Sequence, residues 1–480
     1  MLKIRGVLLL FSEFRPCLLA SFLGIILLYL LPCNFHSVVI TESRIRKEGG
    51  KTQGTNLTCI SSLILFRILE VLPPSNRFES QSSASFFRGF FGCHSYGHKG
   101  PTTLRPVVLP SVMADNKLPP PPAVSKRTVH MAGLLVDVYG LDELPPSASR
   151  ISCLWLHHPR LGNKERMTDI AARCVGAWSA RSAAAATTSE DGSKKNRGLI
   201  ALAFDQRNHG SRLVHEPANS AWREGNVTHA QDMFGMVAGM VADQGVLLDA
   251  VGGYLFHDDD DTDDEESTRR TIDQHLALGV SLGGHSVWQL MFADPRVSAG
   301  VVIIGCPDYQ HLIADRAKKS KRKTYLSTNG AADGASFLGS SDFPPALVNA
   351  CQKFDPKGIM FGTSDVPKPS TTSPGPADEG VRQILHDRLR GKKFLLCFGG
   401  DDKLVPYRCS EPFLTWFKEA TGSWFVEENI SVEDKVYPGI GHTFSPEMVR
   451  DAIQFVTNVI ADAHGVDSRG GKDDQRSSKI

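Results

Sequence analysis

The chain has 480 residues, with 53 Lys and Arg against 52 Asp and Glu and a formal charge of +1 at neutral pH. That balance, with no basic stripe carrying interleaved aromatics, excludes a dedicated nucleic-acid surface. With 41% hydrophobic and 22% charged residues, the composition is that of a soluble globular protein of two or three domains, or of one domain with insertions.

Residues 1–112 stand apart from the rest. An apolar run from Cys17 to Leu31 falls short of the ~20 residues that a spanning helix needs, although a signal anchor near 17–38 is compatible with it. Lys3, Arg5 and Arg15 precede the run while Arg44, Arg46 and Lys47 follow it, so charge bias sets no orientation. Met113 opens "MADNKLPPPPAV", which reads as the ordinary start of a cytosolic protein. We expect residues 1–112 to be a dispensable leader or an over-extended gene reading, and the protein to be cytoplasmic. Anchorage in a membrane through residues 17–38 is the alternative. Ten cysteines at irregular spacing, none in a CxxC pair, agree with free thiols in a reducing compartment.

Residues 113–128 read as a Pro-rich linker, after which short apolar runs alternate with helical patterns as far as residue 307. Ile151 to His158, Gly198 to Arg207, Leu276 to Val280 and Val297 to Pro307 predict buried strands. Met167 to Ala180 and Gln231 to Val251 predict the helices between them. Strand and helix in alternation predict an α/β fold with a mostly parallel central sheet and helices on both faces. The acidic stretch 257–268 reads as a solvated loop, because it lacks the glycine and terminal Glu of a calcium loop.

Residues 308–390 are too long for a simple connection and predict a cap or lid, partly disordered around the Pro-, Ser- and Thr-rich stretch Pro367 to Pro376. The α/β pattern resumes over 391–465, with strands in "KKFLLCFGG" and "SVEDKVYPGIGHTF". A closing amphipathic helix places Met448, Ile453, Val456, Val459 and Ile460 on one face. The polar tail 466–480 is expected to be disordered.

Chemistry concentrates at three strand ends. The stretch "ALGVSLGGHSVW" places Ser281 between Gly279 and Gly283, after an apolar run and before a helix. A tight strand-to-helix turn of this form lifts a serine hydroxyl above the sheet edge. A serine hydroxyl needs a base to take its proton, an acid to orient that base, and donors for the oxyanion. Asp401 and Asp402 follow a late strand in "FGGDDKLVPY", and His442 follows the last strand in "GIGHTF". The chain order is therefore serine, acid, histidine, each at a carboxyl strand end, where an open α/β sheet places its ligands.

These residues resemble the α/β-hydrolase superfamily from about Val129 to Asp462, with the cap region matching poorly. The resemblance implies Ser281 as nucleophile, His442 as general base and then acid, and Asp402 as the residue that orients the imidazolium. Asp401, one residue off register, reads as a turn residue. "LHHPRLGNKE" is similar to the loop that lends an oxyanion N–H in the family, but Pro159 has no N–H to give. The resemblance then implies the backbone N–H of Leu282 as the first donor and that of His158 or Arg160 as the second. The Arg160 side chain has an alternative role in recognising an anionic substrate group. In "FDQRNHGSR", Asp205, Arg207 and His209 resemble a turn that is structural in the family, and His285 reads as a packed histidine. Of Trp155, Trp178, Trp222 and Trp288, Trp222 in its polar loop is the one expected in a pocket, with Trp155 and Trp178 in the core.

The function implied is a serine hydrolase of the carboxylesterase type, acting on an ester or thioester of a small-molecule acyl substrate, with no metal or organic cofactor. A catalytically silent or lyase-like protein of the same fold, binding a small molecule, is the alternative.

Overall fold

A computed structural model describes residues 118–188, 197–257, 269–326, 336–368 and 379–473. The leader, the anchor segment, residues 258–268 of the acidic loop, and most of the Pro-rich strip lie outside the described residues.

In chain order the elements are β1 (Lys126–Met131), β2 (Leu134–Tyr139), β3 (Arg150–His157), α1 (Thr168–Thr188), β4 (Arg197–Phe204), α2 (His229–Phe256), β5 (Thr271–Val280), α3 (Leu282–Ala293) and β6 (Val297–Ile303). There follow α4 (Tyr309–Lys319), α5 (Pro345–Phe354), α6 (Pro356–Phe361), α7 (Glu379–Leu389), β7 (Lys393–Gly399), α8 (Tyr407–Glu419), β8 (Ser431–Tyr437) and α9 (Pro446–Asp473). The eight strands form one sheet in the order β1-β2-β4-β3-β5-β6-β7-β8. β2 pairs antiparallel with both β1 and β4, and every later pairing is parallel. This is the α/β-hydrolase arrangement.

The central strands are covered on both faces, which is why they read as continuous apolar runs rather than alternating ones. Every residue of β4 is buried, as are the last six of β5. On one face, α2, α3, α7 and α8 pack around Trp155, Leu202, Trp288 and Phe394. On the other, α1 and α9 pack on Leu154, Leu156, Leu278 and Val301, and α9 uses Met448, Val456, Val459 and Ile460 from its expected apolar face. A third cluster joins the start of α2 to α4 and α5 through Met233, Phe234, Tyr309, Ile313 and Leu347. Leu282, next to the candidate nucleophile, belongs to it.

Two readings change, and one that the sequence left open is decided. β1 starts at Lys126, inside the expected linker, and forms a hairpin with β2 across Ala132 and Gly133. Both turn residues take positive φ, 48° and 84°, the geometry that matches the twist of a two-residue hairpin. The closing helix runs to Asp473, past the expected end at 465, because extending a formed helix costs far less than starting one and polarity alone does not stop it. Trp288 is fully buried, stacked on Phe394 at 5.5 Å and edge-on to Phe413 at 6.0 Å, so it is a core residue and not a pocket residue. Trp288→Ala is expected to lower the unfolding free energy by about 3–5 kcal/mol, read as a shift in the urea midpoint.

Helix α2 is long and apolar enough by composition to cross a membrane, but its Met240, Leu247, Leu248 and Val251 are buried in the sheet-facing core. The six described cysteines, Cys153, Cys174, Cys306, Cys351, Cys397 and Cys409, are free and buried.

Candidate active site

Strand β5 ends at Val280 and α3 begins at Leu282, so a single residue makes the turn. That residue, Ser281, has φ 55° and ψ −110°, a conformation an L-residue adopts at a cost of roughly 1–3 kcal/mol. Its N–H donates to Ile303 O at 2.9 Å, and its carbonyl accepts from His285 N–H at 3.0 Å. The flanking glycines leave room for the turn. A Cβ on Gly279 would lie 2.1 Å from Gly283 O, and one on Gly283 would lie 2.1 Å from His157 O in β3. The N–H of Leu282 is the first of α3 and has no acceptor within the helix.

Two loops at the carboxyl ends of β7 and β8 supply the other groups. They are stitched together by Gly400 N–H to Tyr437 O and Asp401 N–H to Ile440 O, each 2.9 Å. Asp402 is buried, and its Oδ1 accepts from the N–H groups of Leu404 at 2.8 Å and Val405 at 3.0 Å. Its Oδ2 lies 2.7 Å from His442 Nδ1, and His442 Nε2 lies 2.8 Å from Ser281 Oγ. The carboxylate can only accept, so Nδ1 carries the proton and Nε2 faces the hydroxyl as the acceptor. Exposed Asp401 gives its N–H to the neighbouring loop and is a turn residue.

Ser281, Leu282, Asp402 and His442 line a cleft of about 580 Å³ together with Arg160 and Trp222. His158 is not among its lining residues. The His158 ring is wholly buried, accepts from Gln206 N–H at 3.0 Å through Nε2, and donates from Nδ1 to Pro159 O at 2.8 Å. Burial pushes its pKa down to about 4, so the ring is a neutral pin for its loop.

The other prominent polar residues are structural. Asp205 accepts from Lys164 N–H, Ser211 N–H and Ser211 Oγ, Arg207 pairs with Asp243 at 2.8 Å, and His209 Nδ1 donates to Arg207 O at 3.0 Å. His285 Nδ1 accepts from Cys306 N–H at 2.9 Å, and burial drives its pKa to about 3.

The cleft also contains residues that carried no motif. Leu161 lines it with a left-handed backbone, φ 61°. His229 opens α2 and Arg316 lies in the last turn of α4. His229 donates from Nδ1 to Ser220 O at 2.9 Å, and burial together with Arg316 and Arg160 holds its pKa near 3, so it is uncharged. Nothing local marks Arg316; it sits in a basic stretch of the segment 308–390 and reaches the cleft only because α4 packs beside α2.

No family model matches the chain, and no curated protein matches it in sequence. Among solved structures, it is similar to Est1E from Butyrivibrio proteoclasticus, at 12% identity and a TM-score of 0.35, covering 70% of this chain and 98% of that one. It is also similar to an S-formylglutathione hydrolase from Agrobacterium tumefaciens, at 13% identity and a TM-score of 0.39, covering 71% and 94%. A third is an esterase from Pyrobaculum calidifontis, at 14% identity and a TM-score of 0.34, covering 72% and 86%. The chemistry of the site rests on this chain's own geometry.

Proposed function

We propose that this chain is a serine hydrolase of the carboxylesterase type, cleaving an ester or thioester through an acyl-enzyme. The observation that carries the reading is the unbroken relay from Ser281 Oγ to His442 Nε2 at 2.8 Å and from His442 Nδ1 to Asp402 Oδ2 at 2.7 Å. Ser281 Oγ attacks the acyl carbon while His442 Nε2 takes its proton. The imidazolium then protonates the leaving alcohol or thiol, and the bond to it breaks. Water, deprotonated by the same nitrogen, attacks the acyl-enzyme, and the proton returns to Ser281 as the acid is released.

Asp402 holds the required tautomer and stabilises the imidazolium, with Leu404 and Val405 N–H groups keeping its carboxylate in place. Leu282 N–H faces the developing oxyanion. Pro159 has no N–H and His158 is not among the residues that line the cleft, so we assign the second donor to the backbone N–H of Arg160, which does line it. Helix α4, which lines the cleft through Arg316 and Lys319, is the part of the segment 308–390 placed to influence which acyl group enters.

A fluorophosphonate probe tests the reading. Covalent labelling of the wild-type chain that is absent in Ser281→Ala, measured by intact mass, is the expected result. A folded wild-type protein that takes no label would favour the silent or lyase-like alternative.

A further inference from the structure

The cleft carries more positive charge than its partners neutralise. Its lining includes Arg160, Arg223, Arg316, Lys319, Lys403 and Arg408, against Asp402 as the one lining carboxylate. Asp402 is committed to His442 and to two backbone N–H groups. Lys319 and Arg408 both pair with Asp315, so those two are accounted for.

Arg160 and Arg316 are different. Both are half-buried, and among the described residues neither has a carboxylate within ion-pair distance. Arg160 Nη1 donates to Asn219 O at 2.8 Å. Arg316 reaches neutral acceptors alone: Met233 Sδ at 2.9 Å, Leu404 O at 3.4 Å and His229 Nε2 at 3.5 Å. Glu224, which acts on Arg160 at longer range, spends Oε2 on Ala221 N–H at 2.7 Å. A guanidinium has five donors, so most of this capacity is unused.

The two cations also act on each other. Burial and then Arg160 bring the Arg316 pKa down to about 10, and burial lowers that of Arg160. Both remain charged at neutral pH, in a site where burying an unpaired charge is costly. Nearby His229 stays neutral and adds no charge of its own. These two under-partnered guanidinia line the same cleft as Ser281.

We infer that the substrate carries a carboxylate-like anionic group, held by Arg160 and Arg316 while its ester or thioester carbonyl lies at Ser281. This rests on the hydrolase reading above and narrows it. Planar oxyanions suit the fork of a guanidinium, which can donate two parallel hydrogen bonds to them. The binding energy of that remote group orients the carbonyl for attack.

Two pairs of phenyl esters test the inference and locate the anion. Monophenyl glutarate against its methyl ester places the charge on the acyl side. 4-Carboxyphenyl butyrate against phenyl butyrate places it on the leaving side. Wild type is expected to favour the anionic member of one pair by roughly ten- to a hundredfold in kcat/KM, mainly through KM. In Arg316→Gln, and separately in Arg160→Gln, that ratio falls toward one. Arg316→Lys keeps the charge without the fork and retains part of the preference. No preference in either pair, or a preference that survives both Gln variants, overturns the inference. Failure of the hydrolase reading shows separately, as wild-type protein that fluorophosphonate does not label. Calorimetric titration of glutarate into wild type and Arg316→Gln then decides the anion site, and equal binding to the two overturns it.

Discussion

Ser281→Ala is expected to lower kcat on an activated phenyl ester by roughly 10⁴- to 10⁶-fold. The reason is the geometry of the relay. The hydroxyl is 2.8 Å from His442 Nε2, and that ring has its other nitrogen fixed 2.7 Å from a buried carboxylate. On the proposed mechanism the three groups work as one unit, so adding His442→Ala to Ser281→Ala should cost little more than the first change alone. What survives comes from the oxyanion donors and binding. Asp402→Asn is the sharper test of the arrangement. Its amide would present an N–H to His442 Nδ1, turning the ring toward the wrong tautomer, with a loss of about 10⁴-fold in kcat. Steady-state kinetics on folded variants reads both effects. A Ser281→Ala enzyme with wild-type turnover would remove Ser281 from the chemistry.

Gly283→Ala is expected to destabilise the protein through a backbone clash. The added Cβ would lie 2.1 Å from His157 O and 2.5 Å from His157 C, both backbone atoms of β3, so no side-chain rotation relieves the clash. Strand and helix must separate, and overpacking of this kind costs about 1–3 kcal/mol, with the upper end expected against backbone. The same substitution at Gly235 meets nothing within 4 Å on an exposed position of α2. There it should add about 0.5–1 kcal/mol, since alanine is the better helix former. Urea unfolding of the two variants should shift the midpoint in opposite directions. A Gly283→Ala protein as stable as wild type would mean that the tight approach of β3 to α3 is not required.

Much of the fold was legible because parallel strands buried on both faces leave long apolar runs, such as "GLIALAF" in β4. The hairpin at the sheet edge left a weaker trace. β1 is largely exposed, and its turn uses Ala132 where glycine or asparagine would have been the stronger signal. Trp288 was ambiguous in the sequence because indole suits a pocket and a core equally. Its surroundings of Phe394, Phe413 and Phe417, more than 100 residues on, put it in the core.

The sequence by itself pointed to the candidate constellation: a serine in a glycine-flanked turn, then an aspartate, then a histidine, each closing a strand. Those features are local, since a turn's glycines and a strand's apolar run are written in adjacent residues. Only the tertiary structure decided that Arg160 and Arg316 share a cleft with Ser281, and that no described carboxylate pairs with either. Charge compensation depends on which side chains meet in space. No periodicity or spacing encodes that for residues from β3's loop and from α4.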